Sequence, residues 1–411
     1  MTATTAERFG PAPPPPAFTV GWRGWLRMNL FNSWPSGIVT IVLGIALSWG
    51  ALEGVRWLIF TSDWAVITER VPLYIVGTYP REYYWRPEIA LLLVSGLMGM
   101  GWRAWGGPAR GFAVAFGALI FVVALIPYQM DILYRALLLA VPAAIAGGYF
   151  CAHFIPEQSR AKWFGIAGAG VLIISLLAIA GFSLPGVGSP PGFHPVTESE
   201  VGGLMLNLLL AAFGIVASLP IGIALALGRR SRLPVLKVAC VAFIEIIRGV
   251  PLITLLFMSR HLLPLTFPES VNVSLLYLSG ITITIFSSAY MAENVRGGMA
   301  AVSPQQSQAA QALGLKQWQV TLFVTLPQGL RNIIPAIVGQ FISLFKDTSL
   351  VFIIGMLDLV EIGRAGLSGK IEYSDNGMEV YLFLALVFWV FTFSMAYVSR
   401  RIEKTLGVGR R

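Results

Sequence analysis

The segment FISLFKDTSLVF sets Lys346, Asp347, Thr348 and Ser349 inside an otherwise apolar run. A charged side chain at the centre of a bilayer costs roughly 2.5–3.5 kcal/mol on the insertion scale. Neighbours at i and i+1 do not face each other on a helix, so Lys346 and Asp347 cannot neutralise one another. Upstream, EIIRG holds Glu245, Arg248 and Gly249, with Pro251 just beyond, and ENVRG holds Glu293, Arg296 and Gly297. Each motif puts an acid and a base three residues apart on one helix face, where they can pair. SSAYMAE adds Ser287, Ser288 and Tyr290. At 1.5 Å per residue, Lys346 lies about 20 Å and Arg248 about 18 Å along spans running the same way. The matched depths predict that Glu245 and Arg248 meet Lys346 and Asp347. Such a cluster is either an interhelical salt bridge that fixes packing or part of a polar passage or solute pocket. The hydroxyls could equally bond their own helix carbonyls. Glu293 and Arg296, at the end of their span, suit a gate or a packing pair.

The elements that position these residues follow from composition. Of 411 residues, 56% are hydrophobic and 12% charged. A soluble domain carries about a quarter charged residues, so the chain reads as an all-α polytopic membrane protein. Ten candidate spans can be drawn, at roughly 37–60, 88–105, 111–127, 132–151, 163–184, 201–227, 236–262, 273–295, 333–355 and 379–399. RAWGGPAR has the glycines and proline of a tight turn between the second and third. Ten spans put Arg103, Arg110, Arg160, Lys162, Arg229, Arg230, Arg331, Arg400 and Arg401 on one side, which the positive-inside rule makes the cytoplasm. Both termini are then cytoplasmic, and residues 63–86, 181–200 and 356–378 are outside. The net charge of +9 is this asymmetry and not a nucleic-acid signal.

Domains expected from composition are a cytoplasmic tail over 1–35, a transmembrane region over 36–184, an outer linker over 185–200, a second membrane region over 201–400 and a basic tail over 401–411. PAPPPP, from Pro11 to Pro16, is extended, and GWRGWLRMNLFNSW suits a helix lying on the membrane surface, with a plain solvated tail as the alternative. PGVGSPPGFHP marks the boundary between the two halves. Charged residues fall within the spans of the second half, so function is sought there. Cys151 and Cys240 read as small buried hydrophobes, and His153, His194 and His261 lack metal-ligand spacing. No paired-carboxylate motif, H-E-x-x-H or G-x-S-x-G occurs, so no catalytic residue is assigned and an intramembrane enzyme lacks support.

Between two spans lies QAAQALGLKQWQVTLFVTLP, residues 308–327, too polar to cross a membrane. Ser303 suits an N-cap, Pro304 the first helical position, and Gln306 a capping box. Gly314 is expected to end the helix in a left-handed turn. A second helix would run to Pro327. Ala309, Ala310 and Ala312 would let the first helix seat in a partner's groove. Trp318, Leu322, Phe323 and Leu326 would hold the second helix to the membrane domain. A structural re-entrant loop is the other reading.

This stretch resembles the EAA loop of importer-type ABC transporter permeases. Gln308-Ala309-Ala310, Gly314, Val324 and Leu326-Pro327 keep that loop's spacing, with Gln308 in place of the glutamate. FIEIIRGVPLITLLF, SSAYMAENVRGGM and QFISLFKDTSL resemble the polar amino acid subfamily (histidine/glutamine permease-like), and the long first half resembles the larger permease of general L-amino acid importers. The resemblance implies a type I importer core of five helices preceded by five accessory helices, in a bacterial inner membrane. It implies a coupling loop over 303–327, with Gln308, Ala309, Ala310, Ala312 and Gly314 facing an ATPase. It implies import of L-amino acids with a second permease subunit, two copies of a cytoplasmic ATPase that binds ATP and Mg, and a periplasmic binding protein. The chain itself has no G-x-x-x-x-G-K-[ST]; GLSGK at 366–370 lacks its spacing. For such a solute, Lys346 or Arg248 would meet the carboxylate and Asp347 or Glu245 the ammonium. Thr348, Ser288 and Tyr290 would add neutral hydrogen bonds, with Gly249 and Pro251 as a mobile break. The alternative is a stand-alone, ion-coupled secondary transporter.

Overall fold

The computed structural model describes residues 21–125, 132–181, 189–197, 199–266, 268, 273–368, 373 and 375–406. The proline run at 11–16, residues 182–188 of the expected linker and residues 407–411 lie outside them. The chain divides into two compact units, Met1–Asp63 and Trp64–Arg411. Among the described residues every regular element is a helix, and a single isolated bridge joins Gly203 to Asp358.

In the first unit, α1 (Gly21–Asn29) exposes Trp22, Trp25 and Met28. The chain then enters α2 (Trp34–Arg56), which continues through a π-helical turn, Trp57–Thr61. Ser33 Oγ accepts from Ser36 N at 3.4 Å, and Pro35 sits in the first turn, as a helix start requires. The hydroxyls of Ser36 and Thr40 both donate to Leu30 O, which ties α2 back to the end of α1. No residue of α2 is buried.

The second unit begins with short helices α3 (Ala65–Thr68) and α4 (Val71–Val76). The longer α5 (Trp85–Trp105) and α6 (Gly107–Leu125) follow, joined at Gly106, whose φ of 71° makes the tight turn expected from RAWGGPAR. The expected fourth span is two helices, α7 (Ile132–Leu139) and α8 (Val141–Cys151), because Pro142 cannot continue a helix from before it and instead sits in the first turn of α8. Next comes α9 (Arg160–Ala180). Small residues let α5 and α8 approach: a Cβ on Gly99 would lie 1.9 Å from Ile145 O, and one on Gly148 would lie 1.9 Å from Gly96 O. Glycine contacts of this kind are how helices pack in a solvent as apolar as their own side chains.

The second half opens with α10 (Gly203–Arg229). The expected seventh span is α11 (Pro234–Gly249) and α12 (Leu252–His261), bent by 103° at Val250–Pro251. Pro251 has no N–H to carry the ladder across, so the span is broken rather than merely kinked. Then come α13 (Leu275–Ala300), α14 (Pro304–Ala312), α15 (Gln317–Gln319), a π-helical stretch Val320–Thr325, and α16 (Leu326–Asn332). The chain closes with α17 (Ile334–Asp347), a 3-10 stretch Thr348–Ile354, α18 (Leu359–Ser368) and α19 (Gly377–Leu406). Among the described residues six helices are long and apolar enough to span a membrane, and the bent pair makes a seventh. The α5, α6 and α7–α8 stretches lie where the remaining expected spans fall, so the chain is an all-α membrane protein of about ten transmembrane spans.

The stretches expected outside meet one another. Thr78 Oγ1 donates to Ser199 O and Arg70 Nη1 to Gly366 O, while Tyr79 OH donates to Ile179 O at the end of α9. Tyr373 OH donates to Glu69 Oε2 at 2.7 Å. Arg86, fully buried, stacks on Tyr83 at 4.0 Å and donates to Gly192 O and His194 O. The described part of the proline-rich linker is thus pinned by a cation held on carbonyls and a ring.

Replacing Gly148 with Val drives a methyl-bearing carbon into the α5 backbone, whereas Gly147 has open space at its Cβ. Overpacking costs typically 1–3 kcal/mol. Gly148→Val is expected to lower the melting temperature in detergent by several degrees and Gly147→Val to leave it unchanged; equal effects would refute the close crossing.

Candidate functional site

Two-thirds of the apolar window of α13 is buried, so its hydroxyls face protein. They mostly satisfy themselves. Thr282 Oγ1 donates to Leu278 O, Thr284 Oγ1 to Gly280 O, and Ser288 Oγ to Thr284 O. Ser288 therefore bonds its own helix, whereas Ser287 Oγ is buried with no partner. The expected cluster of Glu245 and Arg248 with Lys346 and Asp347 is not formed. Among the described residues Lys346 and Asp347 enter no ion pair; Lys346 is exposed and Asp347 half-buried at the end of α17. Arg248 instead lies over the Tyr290 ring, 5.4 Å from its centroid, and Tyr290 stacks near Phe286 at 4.9 Å. Arg248 Nε is buried and unpartnered. The break at Pro251 turns the chain just after Arg248, leaving its guanidinium and Gly249 at the helix end.

The two acid–base motifs converge on a residue outside both. Arg229 Nη1, at the end of α10, lies 2.6 Å from Glu293 Oε1 and 3.2 Å from Glu245 Oε1. Glu293 also pairs with Arg296 at 2.9 Å, the i,i+3 pair expected of ENVRG. EIIRG does not pair internally, because its acid reaches the neighbouring helix. The line Glu245–Arg229–Glu293–Arg296 ties α10, α11 and α13 together at one end. Glu293 is 17% exposed and Glu245 55% exposed, so the first contact is the firmer.

Near the opposite end lies a buried polar knot. Asn207 Nδ2 donates to Thr348 Oγ1 at 3.0 Å and to Asp358 Oδ2 at 3.4 Å, and Asn207 Oδ1 accepts from Leu359 N. Asp358 caps α18, accepting from Val360 N and Glu361 N, both at 3.1 Å. Gly203 N donates to Leu357 O, and Gly203 takes the positive φ of 62° that this crossing needs. Thr348, fully buried, also donates to Phe345 O. Sequence reasoning found Thr348 but missed Asn207, Asp358 and the bridging role of Arg229. The D-L-V-E start of α18 and a lone amide in LMLNLLL were the available signals.

The polar loop is helix–turn–helix at first. Leu315 N donates to Ala310 O and Gly314 N to Gln311 O, with Gly314 at φ 84°, which is a Schellman ending. Its start differs from expectation: Gln306 makes no capping box and accepts from Gln328 Nε2, while Ser303 Oγ donates to Gln305 Oε1. Only part of the alanine face is outward. Gln308, Ala309 and Ala312 are exposed, but Ala310 is 6% exposed and packs within the chain. Trp318, Leu322 and Phe323 do not clamp the second helix to the membrane helices; all three are exposed, and Leu326 alone of the four packs inward. Pro327 does not end this segment, since it sits in the first turn of α16. Beyond it, Gly329 meets Gly298 backbone to backbone, which seats the loop on α13. Among the described residues no group of three or more His, Cys, Asp or Glu could hold a metal.

Residues 218–408 match the family model described as binding-protein-dependent transport system inner membrane component. The chain is 34% identical to the inner membrane amino-acid ABC transporter permease protein YhdY of Escherichia coli (strain K12), over 97% of both chains. It is 32% identical to the glutamate/glutamine/aspartate/asparagine transport system permease protein BztC of Rhodobacter capsulatus, over 96% of this chain and 95% of that one. A solved structure titled as an amino acid ABC transporter with histidines matches 49% of this chain and 92% of its own, at 29% identity and a TM-score of 0.45.

Double-mutant cycles should give Arg229–Glu293 a coupling on the order of 1 kcal/mol and Arg229–Glu245 about 0.2–0.5 kcal/mol; the reverse order would contradict the exposures. Asp358 lies beyond the Ile334–Ile354 span. Burial pushes its carboxyl from 3.8 up to about 6, against the opposing pull of the Val360 and Glu361 N–H groups and Asn207. The folded chain therefore keeps a proton that the unfolded chain loses. The stabilisation is full below the unfolded value and is lost as pH rises through the folded one. Wild type should lose up to roughly 3 kcal/mol between about pH 4 and pH 6 relative to Asp358→Asn, and parallel unfolding curves for the two would refute this.

Proposed function

This chain belongs to the binding-protein-dependent transport system inner membrane components, and on that premise we propose that it works as one of two unlike permease subunits importing L-amino acids. It is a multi-pass inner-membrane permease of an ATP-driven importer, a transport component whose energy comes from a separate ATPase. In the proposed assembly, two copies of that ATPase, carrying ATP and Mg, bind beneath it and its partner permease, and a periplasmic binding protein delivers the amino acid. Both termini are cytoplasmic in this reading. Contacts among the described residues of 63–86, 181–200 and 356–378 support one shared side for these segments, and the basic residues then make the other side the cytoplasm.

The observation that carries the reading is α14. It is short, firmly ended at Gly314, followed in the chain by α16, whose Gly329 meets Gly298 of α13, and turns Gln308, Ala309 and Ala312 outward beside Leu313, which is 82% exposed. A small-sided helix with an apolar tip suits insertion into a groove on an ATPase. A stand-alone ion-coupled transporter would have no use for it. Gln308 keeps hydrogen-bonding capacity where the family pattern has a charge.

The proposed pathway runs along α11, α13 and α17. Arg248, with its unpartnered Nε over Tyr290, takes the solute carboxylate; Asp347 takes the ammonium, with Lys346 alongside, while Thr348 and Ser288, buried and already bonded within the chain, stay out of the passage. Glu245, tied to Arg229, belongs with Glu293 and Arg296 at the cytoplasmic end and serves as a gate. Gly249 and Pro251 supply the broken helix that transporters place at such sites.

Ala309→Trp and Leu313→Glu change outward positions and should melt like the parent. Both are expected to lose co-purification of the ATPase by tenfold or more and to stop ATP-dependent uptake. Ala310→Trp should lower the melting temperature, since that side chain packs inward. Undiminished ATPase capture by both outward variants, or uptake that follows an ion gradient instead of ATP, would overturn the proposal.

A further inference from the structure

The accessory helices carry a second arrangement of charge that the transport reading does not use. Arg103, in the last turn of α5, does not extend toward water as a terminal arginine beside lipid ordinarily does. Its Nη1 donates to Tyr149 OH at 2.9 Å, and its Nη2 lies 3.1 Å from His153 Nδ1. A guanidinium only donates, so Nδ1 is the acceptor and the imidazole hydrogen sits on Nε2. Arg103 Nε is buried with no partner. The guanidinium lies 5.2 Å over the Tyr149 ring, Tyr149 and Trp102 are 5.0 Å apart, and Arg110 lies 5.7 Å over Trp102. Two cations thus bracket two rings at one end of α5, α6 and α8.

No carboxylate answers them. Glu157 is the one acid in residues 100–110 and 150–163, and its side chain, 88% exposed, lies 3.6 Å from Arg160. Neither Arg103 nor Arg110 has an ion pair among the described residues. A partly buried guanidinium with an unpartnered N–H and no counter-charge keeps a donor free for an anion. The rim shows what lies beside it. Trp105, Phe150, Phe154 and Trp163 are all at least half exposed around this end. Such a ring of aromatics marks the headgroup level of a bilayer.

We propose that this end of the accessory helices is a binding site for the phosphate of an anionic phospholipid. The headgroup phosphate lies between Arg103 and Arg110, satisfies Arg103 Nε, and places its acyl chains along the apolar surface beside Phe150 and Trp105. Planar guanidinium forks suit phosphate oxygens. Basic pockets between transmembrane helices bind such headgroups. A soluble anion would meet the same two cations but gain nothing from the aromatic rim, so the lipid is the favoured occupant.

Native mass spectrometry of the purified full chain, exchanged into detergent with phosphatidylglycerol, cardiolipin or phosphatidylcholine, tests this. Phosphatidylglycerol and cardiolipin should be retained at least tenfold more than phosphatidylcholine, with inorganic phosphate at equal concentration failing to displace them. The Arg103→Gln, Arg110→Gln double variant should lose that preference, and Arg160→Gln, whose arginine already has Glu157, should keep it. Arg110 is exposed, so Arg110→Gln alone keeps the fold and should weaken retention at least threefold even if the double variant misfolds. Equal retention of the neutral and anionic lipids, displacement by inorganic phosphate, or unchanged preference in Arg110→Gln would each overturn the site.

Discussion

Hydrocarbon gives one helix no reason to prefer another, because a leucine is as well solvated by lipid tails as by a neighbour. Every stable contact between the spans must come from close backbone approach or from polar groups that lipid cannot satisfy. Both devices recur here, at separate places. Gly99 and Gly148 bring α5 against α8, and Gly222 lets Met291 of α13 press onto α10. Asn207, Thr348 and Asp358 bind α10 to the chain between α17 and α18. Within its own unit α2 buries no residue, and its apolar residues surround the helix on all sides. Such a helix is suited to lipid on every face.

The two ends of the permease core are held by unlike chemistry, and their mechanical properties differ accordingly. At the Asn207 end the partners are backbone groups, an amide, a hydroxyl and one buried carboxylate, all at close range. Rearranging that knot would strand polar groups in a low-dielectric setting. At the Arg229 end one cation is shared by two acids, and one of these, Glu245, is more than half exposed. Water can replace Glu245 at little cost, because exposed ion pairs are worth under about 1 kcal/mol. In the proposed assembly, a push delivered through α14 needs a firm end and a yielding one. The yielding end is the one nearer the loop, since α13 carries both Glu293 and the Gly298 contact with α16.

Legibility in the sequence followed the range of the physics involved. The apolar stretches, the Gly314 ending, the Gly106 turn and the Glu293–Arg296 pair depend on residues within a few positions of one another, and all were readable. The break at 251 was readable from its proline, but its 103° angle was not, because how far a proline turns a span depends on what packs across it. Depth arithmetic put Arg248 level with Lys346 and was misleading: equal height along two helices says nothing about which faces meet. Glu245 found Arg229, sixteen residues away on the adjacent helix, because a cation at a helix end is cheaper to reach than one in mid-span. Ala310 shows the same limit within one loop, where three alanines of equal propensity divide between an inward and an outward face. Asn207 and Asp358 are separated by most of the core sequence, and nothing local announces that they meet.

The broken helix also explains how a cation can be kept near the membrane interior without an acid beside it. Arg248 is in the last turn of α11, where the unpaired carbonyls of the helix end carry partial negative charge. The Tyr290 ring adds the negative face of its π-system. Both attract the guanidinium while leaving its Nε–H without an acceptor. A carboxylate partner would do so more strongly but would occupy the donor permanently. In the proposed pathway that distinction matters, because a transport site must bind a solute carboxylate and then release it. Supporting the charge with a dipole and a ring, neither of which competes for the in-plane N–H groups, keeps the donor available for a passing anion.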